Sequence, residues 1–121
     1  MDVQIFGLKK SSATRAALRF FAERRIKTHF VDFAVRGPSK GELSRFAGQF
    51  GIQSLIDRES RAFRDRGWGA ARLPDTQWLD RLLTEPEALV MPLVRWQQRL
   101  TVGAAEDTWK AWVVEAAARP G

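Results

Sequence analysis

The chain of 121 residues carries 20 basic and 14 acidic side chains, for a formal net charge of +6. Its hydrophobic fraction of 45% suits a packed core and its length fits one domain, so disorder is not expected. The sequence contains no cysteine, which excludes disulfide bonds, thiolate metal ligands and thiol nucleophiles. The positive charge favours anionic partners, although the interspersed acidic residues fit an ordinary mixed-sign surface more readily.

The first third of the chain predicts a β-α-β unit. Residues 3–6 are apolar and short, which is typical of a strand. Residues 12–25 repeat alanine and phenylalanine at helical spacing, with Ser11 or Ser12 available as the N-cap. Residues 28–33 form a second strand-like run. Because a helix of this length separates them, the two strands are predicted to be parallel.

The middle of the chain predicts helices. Ser39 and Glu42 have the S-x-x-E spacing of a capping box, which indicates the start of a helix. A short helical turn is expected at residues 53–56, and a loop followed by a short helix at residues 57–72. Another helix is predicted to start at Pro74-Asp75.

The last third predicts a β-hairpin and a final helix. Residues 93–96 and 99–102 are short strand-like runs on either side of Gln97-Gln98. Residues 105–119 place two tryptophans and a valine on one helical face. The chain is therefore predicted to be an α/β protein with the order β-α-β, helices, hairpin and helix.

This order of elements, together with four stretches of sequence, resembles the arsenate reductase family with its Spx and YffB-like relatives. The stretches are IFGLK at 5–9, AALRFF at 16–21, GI, LIDR and FR within 51–64, and the proline-flanked apolar segment at 86–94. The resemblance covers residues 2–116. It implies a thioredoxin-like fold in a single domain of residues 1–121, in which helices flank a central mixed β-sheet and a helical insertion spans about residues 39–88. It also implies that the Met91-Pro92 peptide bond is cis, with Pro92 in a structural role beside the Ser11 loop.

The resemblance places the family's catalytic cysteine at Ser11. In the family this cysteine begins the first helix, whose N-terminus lowers the pKa of the thiol. Some relatives have a second cysteine three residues later, which here is Thr14. A serine hydroxyl needs an adjacent base before it is nucleophilic, and nothing in the sequence places the single histidine, His29, beside Ser11. We therefore expect no catalytic residue and regard Ser11 and Thr14 as vestigial.

The two oxyanion-binding arginines of the family are not matched either. Their positions align with Asp57, which is followed by Arg58, and with Met91. Basic residues near Ser11 still predict a weak oxyanion site at the helix start, with ordinary surface charge as the alternative. The expected affinity is no better than roughly millimolar, about 4 kcal/mol. The predicted anion-binding residues are Lys9, Lys10, Ser11, Ser12, Arg15 and Arg58.

Other kinds of site have less support. We expect no metal site and no cofactor, because a single histidine and scattered acidic residues lack ligand spacing. Glu59 and Asp65 interrupt the arginine-rich run at residues 58–72, so nucleic acid is not the expected partner. Trp68, beside two glycines, is interpreted as a residue that could serve an interface. The absence of a long apolar run or a secretory signal predicts a soluble cytoplasmic protein.

For function we expect a redox-inactive relative of the arsenate reductases and Spx regulators that acts as a binding or regulatory module. Its partner is expected to be a protein, as the Spx-like relatives imply. The alternative is a reductase that depends on an external thiol such as glutathione, and an assay with glutathione and glutaredoxin distinguishes the two.

Overall fold

The computed structural model describes residues 1–118, which form a four-stranded mixed β-sheet with helices on both faces. The strands are β1 (Asp2–Gly7), β2 (Lys27–Asp32), β3 (Leu93–Trp96) and β4 (Arg99–Val102). The helices are α1 (Ser12–Glu23), α2 (Lys40–Phe50), α3 (Arg61–Asp65), α4 (Asp75–Thr84) and α5 (Glu106–Ala118). Short 3₁₀ turns lie at Ile52–Leu55, Trp68–Ala70 and Pro86–Ala88. No helix within residues 1–118 is long and apolar enough to cross a membrane.

The strands are arranged in the order β2-β1-β3-β4. β1 and β2 are parallel, with Val3 opposite Thr28, and β3 is antiparallel to both β1 and β4. The parallel pair and the hairpin were both predicted and are confirmed. The hairpin turn includes Gln97 in the left-handed region at φ 56°, which matches the twist of the strands.

One face of the sheet packs against α1 and α5. Val3 and Ile5 of β1 are fully buried on this face. They pack with Phe21 of α1 and Trp109 of α5, and the ring centroids of these two aromatic residues are 5.5 Å apart. The indole N–H of Trp109 donates to Thr101 Oγ1 at 2.8 Å in a buried hydrogen bond. The apolar face predicted for the last helix is therefore confirmed, and a polar contact also attaches α5 to β4.

The opposite face of the sheet packs against the helices between β2 and β3. Phe6 of β1 meets Phe46 of α2 edge to face, with centroids 6.0 Å apart. Trp68 belongs to the same core and packs edge to face against both Phe63 and Trp78. Because Trp68 is only 7% exposed, the interpretation of this residue as an interface tryptophan is wrong. The surrounding aromatic rings, rather than a partner, cover its apolar surface.

Element bounds differ from the predictions by a few residues. α1 ends at Glu23 instead of residue 25, because Arg25 has a φ of 59° and so leaves the right-handed helical region. The short helical turn lies at Ile52–Leu55, one residue earlier than predicted. The predicted end of the last helix, at residue 119, lies outside the described residues.

The predicted capping box at the start of α2 is present in full. Ser39 Oγ accepts the N–H of Glu42 at 3.1 Å, and Glu42 Oε1 accepts the N–H of Ser39 at 2.8 Å. The Arg36 guanidinium also donates to Glu42 Oε1 at 3.3 Å. Burial alone would raise the pKa of the Glu42 carboxyl, but the hydrogen bonds from Ser39 and Arg36 outweigh it and hold this pKa below its ordinary value of 4.5.

We expect Glu42→Gln to lower the free energy of unfolding by about 0.3–1 kcal/mol at neutral pH, because the charge at the helix N-terminus is lost. A carboxyl whose pKa is lower in the folded state stabilises the fold at pH values above its pKa in the unfolded state. This contribution disappears as the pH falls through its pKa in the folded state. The difference between wild type and variant should therefore stay constant above about pH 5 and shrink at lower pH. Urea unfolding at a series of pH values measures it, with the exposed Glu23→Gln as control. A difference that persists unchanged below both pKa values would contradict the prediction.

Candidate functional site

The junction between β1 and α1 forms one wall of a cleft of about 390 Å³. The other wall comes from two segments of the helical region, residues 57–62 and 87–91. We call it the Ser11 cleft. Its lining residues are Leu8, Lys10, Ser11, Ser12, Ala13, Asp57, Ser60, Arg61, Ala62, Glu87, Leu89 and Met91.

Ser11 stands in the cleft as the N-cap of α1. Its backbone is extended, its Oγ accepts the N–H of Thr14 at 3.2 Å, and its own N–H donates to the carbonyl of Leu8 at 3.0 Å. The predicted N-cap is therefore confirmed. The hydroxyl oxygen stabilises the helix start by satisfying one of the backbone N–H groups that have no partner within the helix.

Thr14 lies behind the cleft and not in its lining. Its side chain is fully buried and packs against the backbone of Gly7, where an added Cβ would come within 2.4 Å of Thr14 Oγ1. Thr14 Oγ1 has no hydrogen-bond partner within residues 1–118. The side chain therefore acts in packing the first turn of α1 against the end of β1.

No histidine is available to activate Ser11. His29 lies in β2 opposite Gln4 and lines a separate surface cavity with Asp2, at the start of β1, whereas Ser11 follows the end of that strand. Asp57 does line the Ser11 cleft, but its Oδ1 accepts the N–H of Glu59 at 3.0 Å, which closes a local turn.

The charged side chains of the cleft balance one another. Lys10 and Arg61 supply two positive charges, and Asp57 and Glu87 supply two negative charges. Lys10 Nζ lies 3.7 Å from Glu87 Oε2, and Arg61 Nε lies 3.4 Å from Asp65 Oδ2. These pairs are largely exposed and add little stability, and the four charged residues leave the lining with no net formal charge.

Three of the six predicted anion-binding residues line the cleft, namely Lys10, Ser11 and Ser12. The Arg15 guanidinium instead donates to the carbonyl of Lys9 at 2.7 Å, and neither residue is part of the lining. Arg58 lies in a different cavity, beside Gln53. The structure therefore assembles only half of the predicted set, and anion binding by it stays a prediction.

Sequence reasoning missed the residues that the helical region contributes, which include Ser60, Arg61 and Glu87. These residues reach the cleft because the N–H of Asp57 donates to Ala88 O, and the N–H of Val90 to Leu55 O, both at 2.8 Å. Neither segment shows the alternation of apolar and polar residues that would predict this pairing. Ser60 is one residue that the sequence could have indicated, because serine is a favoured helix N-cap. Its Oγ caps α3 by accepting the N–H of Phe63 at 3.1 Å.

The Met91-Pro92 peptide bond is cis, as the resemblance implied. Met91 lines the Ser11 cleft, and Pro92 is buried directly before β3. The apolar Met91 side chain therefore occupies the position at which the resemblance places a family arginine.

A mixed sheet with helices on both faces, a cis-proline before the third strand and a cleft at the start of the first helix defines a thioredoxin-like α/β protein. Residues 6–112 match the family model of the ArsC family, and the chain belongs to that family.

Individual relatives are distant in sequence, and those with a solved structure share the fold. A protein of Haemophilus influenzae described as uncharacterized is 23% identical over 110 residues, which cover 90% of this chain and 96% of the relative. The structure of a YffB protein superposes with a TM-score of 0.81 at 22% identity, covering 90% of this chain and 96% of the other. An arsenate reductase from Vibrio cholerae gives a TM-score of 0.77 at 20% identity, with coverages of 89% and 94%. These two structures establish a shared fold.

We expect Thr14→Val to leave the free energy of unfolding unchanged or to raise it by up to about 1 kcal/mol. Valine keeps the shape of threonine and removes a buried hydroxyl that has no partner within residues 1–118. Ser11→Ala, three residues earlier, serves as the matched comparison and should cost about 1 kcal/mol because the N-cap is lost. Urea unfolding measures both variants. A marked destabilisation by Thr14→Val would show that the hydroxyl has an acceptor.

Proposed function

We propose that this chain is a redox-inactive member of the ArsC family whose Ser11 cleft binds a partner without covalent chemistry, in a binding or regulatory role. One observation supports the proposal: Ser11 stands where the resemblance places the family's cysteine, and its hydroxyl oxygen caps α1. Since the whole sequence lacks cysteine, no second thiol can replace it. A cytoplasmic location stays a prediction.

The chemistry of arsenate explains why this difference matters. Reduction of arsenate to arsenite takes two electrons, which thiols provide when two sulfurs join in a disulfide. A serine oxygen can at most form an ester with arsenate, which leaves the oxidation state of arsenic unchanged. Even the ester requires a base that removes the hydroxyl proton; His29 lies in another cavity, and Asp57 Oδ1 in the cleft accepts the N–H of Glu59.

The lining of the Ser11 cleft favours a peptide segment over a simple oxyanion. Its hydroxyl groups and balanced ion pairs alternate with apolar side chains such as Leu8, Leu89 and Met91. A protein partner presents the same mixture of apolar and polar groups. An oxyanion gains only from the N-terminus of α1, so weak binding at about millimolar or above remains the expectation for that ligand.

The alternative function is a reductase in which glutathione supplies the thiol. The open cleft favours it, because about 390 Å³ lies beside the positive end of the α1 dipole. In this alternative Ser11 positions the anion and the electrons come entirely from the added thiol.

We expect purified protein to produce no arsenite above background when arsenate, glutathione and glutaredoxin are supplied together. An ArsC-family reductase that retains its cysteine serves as the positive control for the coupled assay. Turnover that is abolished by Ser11→Ala would overturn the proposal and support the glutathione-dependent alternative.

A second prediction concerns the electrostatics of the helix start. In Ser11→Cys we expect the thiol pKa to fall below the ordinary value of about 8.5, because the Thr14 N–H and the α1 dipole stabilise the thiolate. Ser44→Cys, at an exposed position within α2, should titrate near that ordinary value. The pH dependence of iodoacetamide alkylation measures both thiols. Equal pKa values in the two variants would show that the helix start exerts no such field.

A further inference from the structure

A second cavity, of about 470 Å³, lies in the helical region and shares no lining residue with the Ser11 cleft. Arg58 and Arg72 line it, together with Gln53, Trp78 and the rest of residues 69–73. None of these lining residues is acidic. We call it the Arg58–Arg72 cavity, and its two formal positive charges distinguish it from the neutral Ser11 cleft.

Arg58 is held in place by neighbours that leave its charge uncompensated. Its guanidinium donates one hydrogen bond to Gln53 Oε1 and lies over the ring of Phe63, 5.4 Å from the centroid. A guanidinium carries five N–H donors, so most of them are not used by these contacts. A pre-positioned arginine loses little side-chain entropy when it binds a ligand.

Arg72 approaches the same cavity from the segment before α4. Within residues 1–118 its guanidinium has neither an ion pair nor a hydrogen bond, and the backbone N–H groups of Arg72 and Leu73 have no protein acceptor. Two guanidinium groups and two free N–H groups therefore belong to residues that line one cavity.

Two of the neighbouring arginines differ from this pair because acidic side chains neutralise them. Arg61 pairs with Asp65, and Arg66 pairs with Glu85. The arginine-rich run is consequently not a continuous track of free positive charge, which binding along a nucleic-acid backbone requires. Arg64 has no ion pair within residues 1–118 and donates to the carbonyl of Glu59 at 3.0 Å, but it does not line the cavity. Two of the three uncompensated arginines of the run therefore belong to one cavity.

We propose that the Arg58–Arg72 cavity binds the phosphate group of a small phosphate monoester. The planar donor fork of arginine matches phosphate oxygens bidentately, and two guanidiniums balance the nearly double negative charge that a monoester carries at pH 7. Ala70, Ala71 and Leu73 supply the apolar part of the lining, and the volume falls in the range of about 300–1,000 Å³ that is usual for small-molecule sites.

Inorganic phosphate, titrated at constant ionic strength and followed by amide chemical shifts, tests the proposal. We expect saturable shifts at residues 69–73 and at Gln53. Arg58→Gln and Arg72→Gln should each weaken binding by about tenfold or more, as expected for the loss of a charge-assisted hydrogen bond. Arg45→Gln is the matched control, because it removes an exposed arginine of α2 that lies outside the cavity, and it should change the affinity by less than about twofold. The amide spectrum of each variant checks that the fold is intact.

Several results would overturn the proposal. The absence of localised shifts at tens of millimolar phosphate would do so, as would shifts confined to residues 9–15, which would place the anion in the Ser11 cleft. An equal loss of affinity in all three arginine variants would indicate a general charge effect. A short single-stranded oligonucleotide gives a further test. If it displaces phosphate, and if its binding depends on Arg64 as strongly as on Arg58, this region is a nucleic-acid surface instead.

Discussion

The contact between Gly7 and Thr14 determines where α1 begins relative to the sheet. A Cβ at residue 7 would overlap the Thr14 hydroxyl, so the end of β1 and the first turn of α1 can approach this closely only because residue 7 is glycine. The cap at Ser11 then begins the helix directly beside the carboxyl end of β1. The Ser11 cleft depends on this arrangement, since one of its walls is formed by the loop between the two elements.

This chain has the fold of the ArsC family and contains no cysteine. The sheet order, the cis-proline and the helix start are present, whereas the sulfur is not. Side chains across the cleft differ from the family pattern as well, because Asp57 and Met91 stand where the resemblance places arginines. Function therefore has to be argued from the groups that line the cleft and not from the scaffold that presents them.

Local features of the molecule could be predicted from sequence because their causes are local. The capping box of Ser39 and Glu42, the N-cap at Ser11 and the hairpin around Gln97 each depend on residues close together in the chain. The burial of Trp68 could not be predicted in this way, since its neighbour Trp78 comes from a different helix.

The cleft wall from the helical region was equally inaccessible to sequence reasoning. It depends on a bridge between Ile56 and Leu89, two residues far apart in sequence within segments that show no strand pattern. Arg58 illustrates a related limit. It is one position away from the aligned family arginine, and that single step places it in a separate cavity beside Gln53.

The strand order also has a consequence for self-association. β2 and β4 are the outer strands, and each leaves one row of backbone groups that another chain could extend by β-sheet pairing. β2 begins at the exposed Lys27 and ends at Asp32, and β4 begins at Arg99, whose guanidinium is paired with Glu115. Charged residues at these ends oppose the addition of a further strand, because burying them in a continuous sheet would remove their hydration. The open sheet therefore places charged residues where a further strand would begin to pair.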